Sequence, residues 1–501
     1  MIPLIVALPL LTAFLIYLAL PIGLRRIVKP LFLAGIFSPW FIFLILVGKS
    51  HLSEVVGGWS RVSGIEVAFD FYNVYFILAE LILFSLVSLY SITYFKHRSV
   101  EKVYVLMLLM HAGLLGAFVS RDLFNYYIYM EIASVSSFAL TGLSEEKGAK
   151  GAAFKYLIFS LLASYFFVFS IGLIYLKTGY LNLKLIGENF TPSRELNAAL
   201  GIAFTSLLLK AGIFPLHFWL PDAHSKAPTP ISALLSGIVV KAPLYGMLML
   251  ALTFPLDEFL KKALLLIAFS SMFFGIAMAL LQMDAKKLLA YHTVSQLGYI
   301  LLGIATLNFY GAIYHAFAHA LFKGGLFLSV GTLINAQKTK NLKELTYRHD
   351  KILMMSILML SLAIGGISPF IGAFSKKQLL NGLVGCELFY LAGIGTLVSF
   401  AKLNYYLLTP GKAERSDSLQ RAVSTTLAFI TLGFGIYFLP ELSLKNDSLN
   451  ILAALILFYV LKKMGLFRIK MKAKFGKLGR EINFYSAVFA LLLLLFLLKL
   501  F

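Results

Sequence analysis

The feature that most restricts this chain is its succession of long apolar stretches. A helix that crosses a bilayer needs about 20 mainly apolar residues, and about sixteen such stretches can be placed. They lie at 2–21, 29–47, 71–95, 103–119, 124–142, 151–176, 199–219, 231–254, 262–282, 287–306, 311–333, 354–381, 384–409, 424–440, 449–464 and 482–501. Several are short, so the sequence predicts an all-α polytopic membrane protein with roughly 14 to 16 transmembrane helices. Of the 501 residues, 60% are hydrophobic and 13% charged, against about 25% charged in soluble domains. No soluble helical core surrounds so many apolar helices with so little polar surface. The first stretch lacks a positive leader and a small-residue cleavage site, and reads as a retained helix.

The net charge of +21 has to be read by loop position. Basic groups stand at Arg25, Arg26 and Lys29, at Lys96 and Arg98, at Lys286 and Lys287, at Lys338, Lys340, Lys343 and Arg348, and from Lys462 to Arg480. Counting sixteen helices, each group follows an odd-numbered one, so all share one side. By the positive-inside rule that side is cytoplasmic, which predicts both termini on the extracytoplasmic side of the cell membrane. Lipid headgroups account for these charges, and no nucleic acid is implied. Cys386 is the only cysteine, which excludes a four-cysteine iron–sulfur cluster or zinc–thiolate site within the chain. Any electron transfer belongs to a partner.

The polar segments, such as 48–70, 178–198 and 334–353, are too small to form domains of their own. Two stretches break helical composition: KAGIFPLHFWLPDAHSKAPTP at 210–230, and IGGISPFIGAFSKKQ at 364–378. Proline and glycine interrupt helices, and a membrane tolerates this only where freed backbone groups face protein or water. Lys210 precedes Lys376 by 166 residues and Lys241 precedes Lys402 by 161. Unless that match is chance, the chain divides into N-terminal helices 1–102, five-helix units 103–254 and 262–409, and C-terminal helices 410–501. Such repeats with discontinuous helices occur in transporters.

Ionisable residues inside the spans are Glu80, Glu131, Lys155, Lys210, Lys241, His292, His315, His319, Lys323, Lys376, Lys377, Glu387 and Lys402. One charge at mid-bilayer costs about 2.5 to 3.5 kcal/mol on insertion scales, so the set requires compensation. Lys155, Lys377 and Glu387 sit where a side chain can snorkel to the interface. Glu131 and Lys210 fall near mid-membrane and need an opposite charge or a hydrated pocket, as a salt bridge or as a proton-exchanging pair. His315, His319 and Lys323 stack along one helix face at four-residue spacing, a polar seam suited to proton relay; two histidines with no acidic third ligand do not make a metal site. His217, Asp222 and His224 surround the first break, as caps or as an ion entrance.

These residues carry a resemblance. KAGIFPLHFWLPDAHSKAPTPISALLSG, DLFNYYIYME, VVKAPLYG, DAKKLLAYHTVSQLGYI, YHAFAHALFKGGLFLSVG and SPFIGAFSKKQLL resemble the proton-translocating antiporter-like subunits of respiratory complex I, multisubunit sodium/proton antiporters and membrane-bound hydrogenases. The resemblance spans about 100–410. It implies two inverted five-helix repeats, each with a broken helix, and a hydrophilic axis at the membrane midplane. It pairs Glu131 with Lys210, passes charge from Lys241 to His315, His319 and Lys323, and makes Lys376 the terminal site, with His217, Asp222, His224, His292 and Lys402 as candidate channel or entrance residues. The serine pair expected after LLAY is replaced by His292 and Thr293. A lysine at the terminal site in a chain of modest length looks most like an archaeal membrane-bound hydrogenase subunit or its kin. The expected function is therefore proton translocation, with sodium left open as a second ion, by a non-catalytic subunit of an energy-converting complex, hydrogenase-type first and a stand-alone multisubunit sodium/proton antiporter as the alternative. Partners would be other membrane subunits and a peripheral hydrogenase or oxidoreductase module holding iron–sulfur clusters and nickel–iron or flavin centres, with no cofactor or metal in this chain. A solute transporter or a structural membrane scaffold are the readings of a different class.

Overall fold

The computed structural model describes residues 1–49, 51–95, 100–383, 386–410, 416–438, 444–468 and 478–497. Lys96, Arg98 and the middle of the 462–480 basic run lie outside them. In chain order the helices are α1 (Leu4–Ala19), α2 (Val28–Val47), α3 (Phe71–Tyr94), α4 (Val100–Val119), α5 (Leu123–Gly142), α6 (Ala149–Thr178), α7 (Leu183–Glu188), α8 (Arg194–Ala211), α9 (Leu220–Lys226), α10 (Thr229–Leu234), α11 (Lys241–Thr253), α12 (Glu258–Leu281), α13 (Ala285–Ala305), α14 (Phe309–Gln337), α15 (Lys351–Gly365), α16 (Ile371–Leu380), α17 (Glu387–Leu407), α18 (Ser418–Phe438), α19 (Leu444–Lys463) and α20 (Leu478–Leu497).

Among the described residues, 10 helices are long and apolar enough to cross a membrane, and α1 and α15 are shorter apolar helices. This is fewer than the apolar stretches of the sequence. The difference has three sources: α1 is short, α8 and α9, and α15 and α16, are pieces of interrupted columns, and α5, α17 and α19 carry polar or charged groups that dilute their hydropathy. A small hairpin, β1 (Leu52–Val55) and β2 (Glu66–Phe69), pairs antiparallel with Leu52 opposite Phe69 and Val55 opposite Glu66. Nothing in the hydrophobic pattern of 48–70 announces it.

Helix starts follow local chemistry. The Asp122 side chain accepts from the Asn125 N–H at 2.8 Å and that of Asp284 from the Lys287 N–H at 2.9 Å, N-caps worth about 1 kcal/mol each. α14 is the axis of the molecule: α3, α10, α13, α15, α16 and α18 all pack on it, and Gly311, His315, His319, Lys323 and Thr332 are buried along it. The two histidines and the lysine of α14 are thus enclosed by protein on every side.

Candidate functional site

The first break begins where α8 ends at Gly212, whose φ of +70° is a left-handed cap that suits glycine. The Leu209 carbonyl at this end accepts both the Gly212 N–H at 3.1 Å and the Trp219 indole N–H at 2.9 Å. Lys210 therefore sits in the last turn of a helix that stops inside the protein. Its ammonium donates to Glu131 Oε1 on α5 and to Ser164 Oγ on α6 at 2.6 Å, and Ser164 Oγ donates to the same carboxylate oxygen at 2.5 Å. The lysine side chain is 4% exposed and the glutamate 19%, so the pair is sealed on the lysine side and open at the outer edge of α5. Phe124, Ile128 and Val135 on α5 are exposed as well, and with Glu131 they form one helical stripe.

Lys241 opens α11 just after a π-helical turn, Leu235–Val239, a rare element that is frequent at functional sites. Its ammonium donates to the Ser236 carbonyl at 2.5 Å and contacts Nδ1 of His319 on α14. The His319 and His315 rings are 6.5 Å apart. His315 Nδ1 lies 3.0 Å from Ser375 Oγ, the residue before Lys376. Lys323 donates to the Leu289 carbonyl on α13; Thr293 Oγ1 donates to that carbonyl and is 2.7 Å from Ser236 Oγ. Lys241, His319, His315 and Lys376 thus form one row, with Lys323 tied to it through Thr293 and Ser236.

The second break supplies the end of the row. α15 stops at Gly366, φ +82°, and the Lys376 ammonium donates to the Ile364 and Gly365 carbonyls at 3.0 Å each. A cation there meets the negative end of a helix. A Cβ on Gly366 would stand 2.7 Å from Lys376 Cδ, so glycine both forms the turn and leaves room for the lysine. Lys376 is buried whereas Lys377 is exposed, and a cavity of ≈ 280 Å³ reaches it, lined in part by Ser368, Asn446, Asp447 and Asn450.

The remaining candidates are more dispersed. His217 packs between Phe274 and Tyr291. Asp222 pairs with Lys155 at 2.6 Å and Lys287 at 3.2 Å, and Lys155 also with Glu481 of α20 at 2.6 Å. Lys155 is therefore a buried, paired cation rather than a snorkelling one. His224 and His292 are fully buried with no hydrogen-bond partner for either ring nitrogen among the described residues. Lys402 donates to the Leu280 and Gln282 carbonyls at 2.7 and 2.5 Å. Glu80 meets His111 at 2.6 Å in α3 and α4, a pairing whose histidine no sequence pattern marked, as none marked Ser164, Ser236 or Ser375. Hydroxyls are common in membrane helices, and only the neighbouring helix reveals which of them matter. No hydrogen bond of Lys210 reaches Lys241 among the described residues. No group of three or more His, Cys, Asp or Glu among them is placed to hold a metal ion.

Residues 120–401, more than half of the chain, match the family described as NADH:quinone oxidoreductase/Mrp antiporter, transmembrane. The chain belongs to this family. Among its relatives, a Na(+)/H(+) antiporter subunit of Alkalihalophilus pseudofirmus is 30% identical over 416 residues, 79% of this chain and 84% of the relative. An NADH-quinone oxidoreductase subunit of Desulforudis audaxviator is 32% identical over 350 residues, 65% and 68% of the two chains. A solved chain of the membrane-bound sulfane sulfur reductase, an archaeal respiratory membrane complex, shares the fold with a TM-score of 0.81 at 24% identity, covering 91% of this chain and 99% of that one. As a family member, the chain is a non-catalytic, ion-translocating membrane subunit of a respiratory or antiporter-type complex, and its buried row of bases lies within the matched segment.

Proposed function

We propose that the chain carries protons in exchange for sodium as a subunit of a multisubunit sodium/proton antiporter, along the row from Glu131 to Lys376. One observation carries the reading: Lys241 touches His319, and His315 bonds the serine beside Lys376, a succession of titratable groups across the protein interior. The likeness to a Na(+)/H(+) antiporter subunit over 79% of the chain favours this assembly over a hydrogenase-type one.

A change at the exposed edge of Glu131 weakens its pairing with Lys210. The released lysine proton moves through hydrating water to Lys241, then by His319 and His315 to Lys376, whose cavity opens it to one side. A charge on a lipid-facing stripe costs about 2.5 to 3.5 kcal/mol at mid-bilayer, so a second membrane subunit covers Glu131, Ile128 and Val135 and delivers the change. His217, Asp222 and His224 lie near the first break as its entrance.

Counting each broken column once gives about sixteen crossings, with both termini on the extracytoplasmic side. The two units are inverted repeats. In its support, the N-cap Asp122 of α5 bridges to Asn182, and the N-cap Asp284 of α13 bridges to Asn341. The same device recurs five crossings later, an odd number, and so at the opposite face.

A second reading, coupling to a redox module with its own iron–sulfur, flavin or nickel–iron centres, rests on the shared fold with a respiratory complex. Everted vesicles holding the assembled complex separate the two. Sodium added after an imposed pH gradient collapses that gradient without an electron donor if the chain serves an antiporter, and only with a donor if it serves a redox complex. An assembled Lys210→Ala complex that transports like its parent defeats both, and points to a scaffold or to a solute carrier with an organic ligand.

A further inference from the structure

The row from Lys241 to Lys376 leaves one buried base without a place in it. His292 on α13 is fully buried, and neither ring nitrogen has a hydrogen-bond partner among the described residues. Leaving a buried polar group unsatisfied costs about 1–3 kcal/mol, so a serine, which bonds its own helix carbonyl, would be the cheaper residue here. Lys323 on α14 donates to the Leu289 carbonyl, one turn before His292 on α13, and Lys323, Lys376 on α16 and Lys402 on α17 are the charged groups whose fields reach the imidazole. Its ring lies 4.8 Å from that of Phe400, also on α17.

Lys402 and Lys376 face different ways. The Lys402 ammonium, fully buried, sits on the last carbonyls of α12, Leu280 and Gln282, with the Phe467 ring 5.4 Å away. That end of α12 leads through Asp284 into Lys286 and Lys287, on the basic side. The cavity at Lys376 is lined by Asn446 and Asp447, at the start of α19, which is five crossings from the start of α13 and thus on the opposite side.

Resting on the translocation reading above, we propose that His292 is a branch point that passes protons between Lys323 and Lys402, giving the second unit its own access to the basic side. In one transfer the Lys323 ammonium gives a proton to one ring nitrogen, and the imidazolium gives the proton on its other nitrogen to the neutral amine of Lys402. One proton and one positive charge move from Lys323 to Lys402. The ring is left as the other tautomer and returns by turning over or by exchange through water. Protons can then reach Lys376 without passing Glu131 and Lys210.

The test uses the purified complex in liposomes, with proton flux driven by a potassium–valinomycin potential and read by an internal pH dye. In a Lys210→Ala complex, coupled transport is lost but this flux persists. Adding His292→Phe or Lys402→Met lowers it at least about tenfold, the factor equal to 1.36 kcal/mol in a barrier. If His292→Phe does not assemble, His292→Gln, which keeps polarity but not titration, is read in the same way. Infrared histidine bands supply a readout that a packing role would not move: they shift on Lys402→Met and not on Ser295→Ala. A flux that persists in the Lys210→Ala complex unchanged by the His292 variants overturns the branch and leaves the translocation reading standing. No flux in the Lys210→Ala complex, with coupled transport intact in the parent, overturns the branch as well. An absence of ion movement in the parent complex overturns both.

Discussion

Replacing Glu131 by glutamine separates the structural role of its pairing with Lys210 from the functional one. The lysine side chain is 4% exposed and its remaining hydrogen-bond partner is Ser164 Oγ. Removing one member of a buried pair costs about 3–5 kcal/mol, because the other charge is left without a counter-ion. Glu131 is 19% exposed, so water or a partner subunit recovers part of the loss, and the low end, about 3 kcal/mol, applies. Lys210→Met, which strands a carboxylate nearer the edge, costs less. The double variant Glu131→Gln/Lys210→Met buries no charge at this position and returns most of the lost stability, since well-packed neutral groups often replace a buried pair at no net cost. Apparent melting temperature of the purified complex and sodium-dependent gradient collapse in everted vesicles are measured on all four proteins. The expected pattern is a drop in melting temperature for Glu131→Gln, recovery in the double variant, and no coupled transport in any variant. If the double variant transports, the pair is structural and the proton route lies elsewhere. If Glu131→Gln melts and transports like the parent, the pair matters for neither.

Gly366→Ala places a side chain at φ +82° and a Cβ 2.7 Å from Lys376 Cδ; the backbone cost of about 1–2 kcal/mol leaves assembly intact while displacing the lysine, so transport falls with the complex still purifying whole. Lys376→Gln abolishes transport and Lys377→Gln does not, because the first is buried at the break and the second exposed; equal effects would remove Lys376 from its terminal role. In the loop before α6, burial pushes the Glu146 carboxyl up, but Lys226 and Lys340 outweigh it and hold it below 4.5. A lowered carboxyl stabilises the folded state above its unfolded value and loses that contribution as pH falls through the folded one. Melting scans from neutral to acid pH therefore show a loss below 4.5 that is smaller in Glu146→Gln.

The mid-membrane charges were legible because a charge in an apolar run has few explanations. Glu131, Lys210 and the α14 triad could be singled out from spacing and solvation cost alone; the structure pairs Glu131 with Lys210, whereas the triad meets a lysine, a serine and a backbone carbonyl and no opposite charge. The choice of Lys376 over Lys377 needed the resemblance, since spacing alone does not tell which of two adjacent lysines turns inward. What the sequence could not show was which neighbour each group would find. Lys155 reads as a snorkelling cation until α20, more than three hundred residues later, supplies Glu481. The hairpin at Leu52–Val55 and Glu66–Phe69 was hidden because strands of four residues carry too little alternation to stand out in an apolar chain. The π-helical turn before Lys241 left no mark in the sequence, because it changes hydrogen-bond register and not hydrophobic period.

The partners of the buried lysines bear on how a proton can move through so enclosed an interior. Lys210 alone in the row faces a carboxylate; Lys241, Lys323 and Lys376 direct their amines to backbone carbonyls of Ser236, Leu289, Ile364 and Gly365. An ion pair stabilises one protonation state, since its attraction vanishes when either charge is lost. A carbonyl accepts a hydrogen bond from an ammonium and from a neutral amine alike, so these contacts hold each lysine in place without fixing its proton. Three of these carbonyls are available because the helices are interrupted: Ile364 and Gly365 end α15 at its break, and Ser236 lies in the π-helical turn, whereas Leu289 lies inside the unbroken α13. Broken helices here do more than admit water. They supply acceptors that an unbroken helix spends on itself, and they leave the one true ion pair, Glu131 with Lys210, as the place where an outside influence can change the charge of the row.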